Sequence, residues 1–176
     1  MREDASRHRR SIRLQGYDYA QAGAYFVTIC ALNRLPLFDR DAIRTIATEC
    51  WLQIPAHFPT LELDEWVIMP NHIHGILVIT SAAQGRGVQL NAPTRSGDMH
   101  SRLSPHSGTL GVVIRTYKGA VTTLCRQAGQ ANFAWQRNYY ERIIRNEDEL
   151  NHARQYIIDN PQNWATDVNN LDHRTV

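Results

Sequence analysis

The chain has 176 residues, of which 43% are hydrophobic, and it is long enough to bury one core, so we expect a single domain. No apolar stretch approaches the roughly 20 residues that a membrane-spanning helix needs, and three scattered cysteines exclude a disulfide framework and a zinc knuckle. The net charge is only +2, but Lys118 is the single lysine and all other Lys/Arg cations are arginines, which suits phosphate recognition or reflects the base composition of the genome.

The N-terminal residues 1–22 are charged and basic, with no apolar stretch behind them. We therefore expect a flexible arm, no secretory signal and a cytoplasmic location. The β-branched and aromatic run 25–32 predicts the first strand, and apolar residues at helical spacing within 37–58 predict the first helix. Two further apolar runs, 61–69 and 72–79, predict a hairpin.

The third predicted strand begins with two histidines separated by one residue, His72 and His74. Side chains alternate between the faces of a strand, so both imidazoles point to the same face, roughly 7 Å apart along the strand. Two imidazoles at that separation can converge on one metal ion. The alternative is a pair of hydrogen-bonded core histidines, which the pattern by itself leaves open.

The second half of the chain begins with a change of composition. In residues 80–108, Ser, Gly, Pro, Asn, Gln and Arg dominate, which predicts a mobile insert. A helix over 110–128 and a short fourth strand over 134–140 follow. A final helix over 146–160 ends before a proline, because the residue that precedes proline is disfavoured in a helix.

The seven predicted elements run in the order β-α-β-β-α-β-α. The first six match a ferredoxin-like split β-α-β-β-α-β antiparallel sheet, and the seventh is an added C-terminal helix. We therefore expect one α+β domain over residues 23–165, with the insert inside it and a tail over 166–176.

The final predicted helix carries polar side chains on one face. It begins with a capping-box spacing, in which Asn146 is followed three residues later by Glu149. His152, Tyr156 and Asn160 then follow at i, i+4 and i+8. A tyrosine on a helix is most often structural. A phenol that attacks phosphorus beside a metal ion would instead carry out phosphoryl transfer, with Asn160 next to it as a third metal ligand.

Three blocks of sequence point to a known family. They are Trp-Val-Ile-Met-Pro-Asn-His-Ile-His at 66–74, Trp-Gln-Arg-Asn-Tyr-Tyr-Glu-Arg-Ile-Ile-Arg-Asn at 135–146 and Tyr-Ile-Ile-Asp-Asn-Pro at 156–161. In this order and spacing the chain resembles the IS200/IS605-like single-tyrosine (Y1) HUH transposases, and it is most similar to the REP-associated tyrosine transposases. The resemblance covers residues 25–164.

The resemblance implies an enzyme that nicks and rejoins single-stranded DNA through a 5′-phosphotyrosine intermediate. It implies a transposase that acts on hairpin or palindromic repeat DNA in the nucleoid. Tyr156 would be the catalytic nucleophile, and His72 and His74, together with Asn160, would bind Mg²⁺ or Mn²⁺. Insertion-sequence members resemble dimers and REP-associated members act as monomers, so a homodimer and a monomer both stay open.

Further residues of these blocks are candidates for DNA binding. Arg137, Arg142 and Arg145 suit contacts with phosphates, with solvated surface charge as the alternative. Tyr140 suits packing or base stacking. His152 is a candidate to assist the deprotonation of the nucleophile.

Tyr117, Tyr139 and Tyr140 are rival nucleophiles. Tyr117 has apolar neighbours on its predicted helix, and the other two belong to the predicted fourth strand, so we rank all three below the tyrosine of the last helix. Two other functions stay open: a non-catalytic single-stranded nucleic-acid binding protein derived from a transposase, and a phosphoesterase that uses the histidines directly. A histidine-triad phosphoesterase would need a third alternating histidine, and that position holds Ile76.

Overall fold

The computed structural model describes residues 22–80, 109–167 and 169–170. Its strands are β1 (Gly23–Cys30), β2 (Leu61–Ile68), β3 (His72–Ile79) and β4 (Tyr140–Ile144). Its helices are α1 (Asp41–Leu52), α2 (Ile54–His57), α3 (Leu110–Gln127) and α4 (Glu147–Asp159), and 3-10 turns lie at Leu32–Arg34, Leu37–Asp39 and Trp164–Thr166. The expected arm over 1–22 and the expected insert over 80–108 lie outside the described residues, except at their ends. No helix within the described ranges is long and apolar enough to cross a bilayer.

The four strands form one antiparallel sheet in the order β2-β3-β1-β4. β1 pairs with both β3 and β4, and its register with β3 places Thr28 opposite His74 and Cys30 opposite His72. This is the strand order of a ferredoxin-like split β-α-β-β-α-β unit, with α4 added after it. The predicted α+β fold class is therefore confirmed.

The two faces of the sheet are covered by different helices. A Cβ atom built on Gly75 of β3 would lie 2.4 Å from Trp51, so glycine at this position lets α1 pack directly against the strand. Because neighbouring residues of a strand point to opposite faces, His72 and His74 lie on the other face. There the ring of His74 contacts Tyr156 of α4. The hydrophobic core thus lies between the sheet and the pair α1 and α3, while α4 covers the histidines.

The fourth strand differs from its prediction over 134–140, which was wrong by several residues. Trp135, inside the predicted strand, forms an isolated bridge with Ala31 and donates its indole N–H to the carbonyl oxygen of Lys118 in α3 (3.0 Å). Its aromatic ring therefore packs on a helix and does not extend the sheet. The ladder with β1 forms further along, where the β-branched Ile143 pairs with it.

The first predicted helix, over 37–58, consists of three elements: a 3-10 turn, α1 and α2. Pro55 lies in the first turn of α2. Its missing N–H prevents α1 from continuing unbroken into α2. Apolar spacing persists across the break, where Ile43, Trp51 and Ile54 are all buried. The apolar spacing alone therefore predicts a single helix for this segment.

Candidate active site

His72 and His74 form a buried pair on β3 whose ring nitrogens face each other. They are 0% and 2% exposed, and their Nε2 atoms lie 2.9 Å apart. Two nitrogens that bind one ion at right angles, each at about 2.1 Å, lie roughly 3.0 Å apart. The two imidazoles share one face, and their separation fits two adjacent ligands of one metal ion.

The other ring nitrogen of each histidine has a polar partner. Nδ1 of His72 lies 2.7 Å from Oδ1 of Asn71, and Nδ1 of His74 lies 2.9 Å from Oγ1 of Thr28. An amide oxygen only accepts hydrogen bonds, so Nδ1 of His72 carries a proton and its Nε2 keeps a lone pair. The threonine hydroxyl both donates and accepts, so His74 can take either tautomer. Outer partners of this kind are what hold a metal-binding imidazole in place.

The surroundings keep both imidazoles neutral. Burial is the main cause that lowers the pKa of His72 well below its ordinary 6.5. Burial also lowers the pKa of His74 to about 3, and the neighbouring His72 adds to that effect. The charge of Asp167 acts in the opposite direction on both rings. A metal ion binds the neutral imidazole, so no proton has to leave the pair at neutral pH.

Asp167 joins the two histidines, although no sequence pattern indicated it. One ligand atom from each of His72, His74 and Asp167 lies within 4.8 Å of the others, and all three residues are buried. The backbone N–H of Asn169 donates to Oδ1 of Asp167 (2.6 Å) and so helps to orient the carboxylate. Two imidazoles and a carboxylate have the composition of a metal-binding group. Sequence reasoning missed Asp167 because it lies in the stretch assigned to a tail, outside any recognised motif.

Tyr156 lies on α4 with its hydroxyl at the edge of this group. The hydroxyl oxygen is 3.4 Å from Nε2 of His74, and the phenol ring contacts the ring of Phe26 at a centroid distance of 5.9 Å. Burial raises the pKa of the phenol and the charge of Asp167 adds to this, while a hydrogen bond with Asn160 opposes both. The phenol is therefore protonated at neutral pH and must lose its proton before it can act as a nucleophile.

Two features hold α4 in place. Oδ1 of Asn146 accepts a hydrogen bond from the backbone N–H of Glu149 (2.8 Å), so the predicted N-cap is confirmed. Further along the helix, Arg154 makes a two-pronged ion pair with Asp64 of β2, from Nε to Oδ1 (2.9 Å) and from Nη2 to Oδ2 (2.6 Å). The hydrogen bond from Arg154 lowers the pKa of the Asp64 carboxyl. This pair fixes the helix to the sheet two residues before the tyrosine.

Asn160, expected as a third metal ligand, is the C-cap residue of α4 and is buried. Its Oδ1 has no hydrogen-bond partner among the described residues. A buried amide oxygen without a partner is costly, and a cation or a water bound to one would satisfy it. Asn160 borders a small cleft of about 350 Å³ together with Tyr156 and Asp167. The structure thus places it beside the tyrosine and the carboxylate.

A larger cleft of about 1610 Å³ opens on the other side of Tyr156, between β1, β4 and α4, and we call it the α4 cleft. Four residues that the sequence predicted near the DNA or the nucleophile line it: Arg137, Tyr140, Arg142 and His152. Arg145 is not among the described residues that line it. Arg34 does line it, and sequence reasoning missed Arg34 because its place depends on a turn in which Asn33 and Arg34 have φ angles of 54° and 55°.

The rival tyrosines occupy different surroundings. Tyr139 and Tyr140 line the α4 cleft. Tyr117 is buried in the core, where its hydroxyl donates to the carbonyl oxygen of Ala47 (3.1 Å). The hydroxyl of Tyr156, in contrast, lies beside His74 of the histidine pair.

Comparison with known proteins identifies a relative by sequence and a solved structure of similar fold. No protein-family model matches the chain. Over 168 residues the chain is 38% identical to an uncharacterized protein of Haemophilus influenzae, and the match covers 91% of this chain and 92% of that protein. The fold is similar to the solved structure of a REP-associated tyrosine transposase bound to a REP hairpin, with a TM-score of 0.60 and 19% identity, covering 87% of this chain and 74% of that one. The chain therefore has a tyrosine-transposase-like fold.

Proposed function

We propose that this chain, which belongs to the same family as the Haemophilus influenzae protein, is an HUH-type tyrosine transposase that nicks and rejoins single-stranded DNA in a metal-dependent reaction. The observation that carries the proposal is the contact of the Tyr156 hydroxyl with His74, one of two buried imidazoles whose nitrogens are spaced for a metal ion. The likeness in fold to a REP-associated tyrosine transposase supports a transposase-like function.

The proposed metal ligands are His72, His74 and Asp167, with Asn160 adding its unpaired amide oxygen. Two imidazoles with two oxygen ligands suit Mn²⁺, and Mg²⁺ binds where phosphate and water oxygens complete its shell. When bound, the ion supplies Lewis-acid polarisation of the scissile phosphate. The neutral imidazoles are already in the protonation state that binds a cation.

Tyr156 is the proposed nucleophile. Its oxygen attacks the phosphorus and forms a bond to the 5′-phosphate, while the bond between phosphorus and the 3′ oxygen breaks. The 3′ oxygen takes up a proton and leaves as a free 3′-OH, and the reverse reaction rejoins the strands. His152 precedes Tyr156 by one helical turn in the same cleft and is the candidate acceptor of the phenolic proton.

The α4 cleft is the proposed path of the DNA strand. Arg34, Arg137 and Arg142 bring positive charge to its walls, and guanidinium groups match the geometry of phosphates. Tyr140 is 46% exposed and offers a ring on which an unpaired base can stack. The solved transposase of similar fold holds a REP hairpin, and we propose hairpin-forming single-stranded DNA as the substrate of this chain.

The test is a search for a covalent adduct between the purified protein and labelled single-stranded hairpin DNA in the presence of Mn²⁺. The hairpins are taken from the repeats that flank its own gene. A protein–DNA band that survives denaturation is expected, and Tyr156→Phe and His72→Ala should both abolish it. Tyr139→Phe removes another hydroxyl of the cleft, and His57→Ala removes an exposed imidazole at the end of α2, so both controls should keep the adduct.

An adduct that persists in Tyr156→Phe would refute this assignment of the nucleophile. Tight DNA binding without any adduct, across metals and hairpins, would instead favour the non-catalytic DNA-binding alternative.

A further inference from the structure

Asn71 lies in the turn between β2 and β3 and is 2% exposed. Its side chain joins three separate parts of the chain. Nδ2 donates to the carbonyl oxygens of Arg34 (3.0 Å) and Asn169 (2.7 Å). Oδ1 accepts from Nδ1 of His72 (2.7 Å). The carboxamide therefore connects β3, the turn that follows β1 and the segment that follows α4.

We propose that Asn71 is the positioning residue of the metal site: it holds His72 in one tautomer and anchors the segment that brings in Asp167. This inference rests on the proposed function, in which His72 and Asp167 bind the ion. Asn71 does not itself bind the ion in this proposal, but it holds the two ligands His72 and Asp167 in place.

The hydrogen-bond partners of Asn71 determine the orientation of its carboxamide. The carbonyl groups of Arg34 and Asn169 only accept, so the two N–H bonds of Nδ2 must face them. A flipped amide would set its oxygen against both carbonyl oxygens and lose both of these hydrogen bonds. Oδ1 therefore faces His72, Nδ1 of His72 carries the proton, and the lone pair of its Nε2 points toward His74.

The link from Asn71 to Asp167 runs through a single residue. The carbonyl oxygen of Asn169 accepts from Asn71, and the backbone N–H of Asn169 donates to Oδ1 of Asp167 (2.6 Å). The ring of Trp164, in the same segment, lies 6.0 Å from the ring of His72. Without the bond from Asn71, this segment loses a buried anchor at the point where it holds the carboxylate.

The third bond supports the turn that carries Arg34. Asn33 and Arg34 both adopt the left-handed backbone region, which residues other than glycine rarely occupy. The hydrogen bond from Asn71 to the carbonyl of Arg34 stabilises this turn, and Arg34 lines the α4 cleft. One side chain thus organises a metal ligand, a carboxylate and an arginine of the DNA path.

The first test uses nitrogen NMR of the His72 imidazole in the full-length, metal-free protein, because the two neutral tautomers have different ring-nitrogen signals. We expect the Nδ1–H form in the wild type and a mixture of both forms in Asn71→Ala. Asn151→Ala changes an exposed asparagine of α4 and should leave the signals of His72 unchanged. A wild-type His72 protonated on Nε2 would overturn the proposal by itself, even if the Asn71 variant failed to fold.

The second test is a double-mutant cycle on the affinity for Mn²⁺, measured by titration calorimetry with Asn71→Ala, Asp167→Asn and the double variant. Loss of an outer partner of a metal ligand typically costs about 10- to 100-fold in affinity, so Asn71→Ala should bind at least about tenfold more weakly. Because both changes act on one carboxylate, the double variant should lose less affinity than the product of the two single losses.

If the double variant loses as much Mn²⁺ affinity as the product of the two single losses, the link between Asn71 and Asp167 is refuted. If Asn71→Ala binds Mn²⁺ as tightly as the wild type, the positioning role is refuted. A failure of the proposed function has a different signature. A wild type that binds no Mn²⁺ and forms no adduct would refute that function, whereas the tautomer of His72 would still decide whether Asn71 orients the ring.

Discussion

The hydroxyl oxygen of Tyr156 lies 3.4 Å from Nε2 of His74, although 82 residues separate them along the chain. The same nitrogen lies 2.9 Å from Nε2 of His72, so one atom borders both the phenol and the second imidazole. The contact exists because α4 covers the face of the sheet on which both histidines lie. It joins the candidate nucleophile and the candidate metal ligands into one site.

Asp167→Asn is expected to weaken Mn²⁺ binding by about tenfold or more, because it removes the negative charge that faces the two histidines. Calorimetric titration of the metal-free protein measures this. Asp159→Asn is the matched control: Asp159 borders the same small cleft but accepts a hydrogen bond from Gln155 (2.9 Å), and its loss should change the affinity little. Equal affinities of Asp167→Asn and the wild type would contradict a role for this carboxylate.

Acidification is expected to destabilise the metal-free protein through its buried histidines. Burial lowers the pKa of both rings, that of His74 to about 3, so below pH 6.5 the unfolded chain takes up protons that the folded chain does not. The free energy of unfolding should therefore fall as the pH drops below 6.5, by about 1.4 kcal/mol for each unit by which a pKa is lowered. Urea unfolding in a chelator, repeated across this pH range, measures the slope.

Variants can show that the buried histidines cause this pH dependence of the free energy of unfolding. His74→Gln should reduce the slope, and His57→Gln, at an exposed position, should leave it as in the wild type. If the free energy of unfolding of the wild type stays constant below pH 6.5, the imidazoles are not buried in their neutral form.

Asp64→Asn is expected to slow adduct formation several-fold while changing the thermal midpoint only slightly. The ion pair between Asp64 and Arg154 is partly exposed, so its effect on stability is small, but it fixes α4 two residues before Tyr156. Glu147→Gln removes a weaker contact of the same arginine (3.6 Å) and should leave the rate unchanged. If both variants form adducts at the wild-type rate, the ion pair does not position the tyrosine.

Gly75→Ala is expected to destabilise the protein by about 1–3 kcal/mol, because its Cβ would lie 2.4 Å from a ring carbon of Trp51. Gly119→Ala is the matched control in α3, where a Cβ meets nothing within 4 Å. That change should stabilise the helix by about 0.5–1 kcal/mol, since alanine loses less backbone entropy. Urea unfolding compares the two variants. If Gly75→Ala leaves the free energy of unfolding unchanged, α1 can move away from the sheet at little cost.

Periodicity and capping could be predicted from the sequence because they involve residues close together in the chain. Alternation along β3 places His72 and His74 on one face, and the cap of α4 joins Asn146 to a residue three positions later. The order of the elements predicted the ferredoxin-like sheet, which the structure confirms. The place of β4 could not be predicted in the same way. It depends on whether Trp135 extends the sheet or packs on α3, and that choice is made by a tertiary contact with Lys118, 17 residues earlier in the chain.

The sequence by itself determined which side chains share a strand face or a helix face, because the two-residue and four-residue repeats of regular structure set those relationships locally. Only the tertiary structure decided that Tyr156 meets His74, that Asp167 joins the histidines and that Asn71 bonds to Arg34 and Asn169. Each of these contacts joins parts of the chain that are far apart in sequence. Their positions follow from how the sheet packs against α4 and the segment behind it, and no local pattern carries that information.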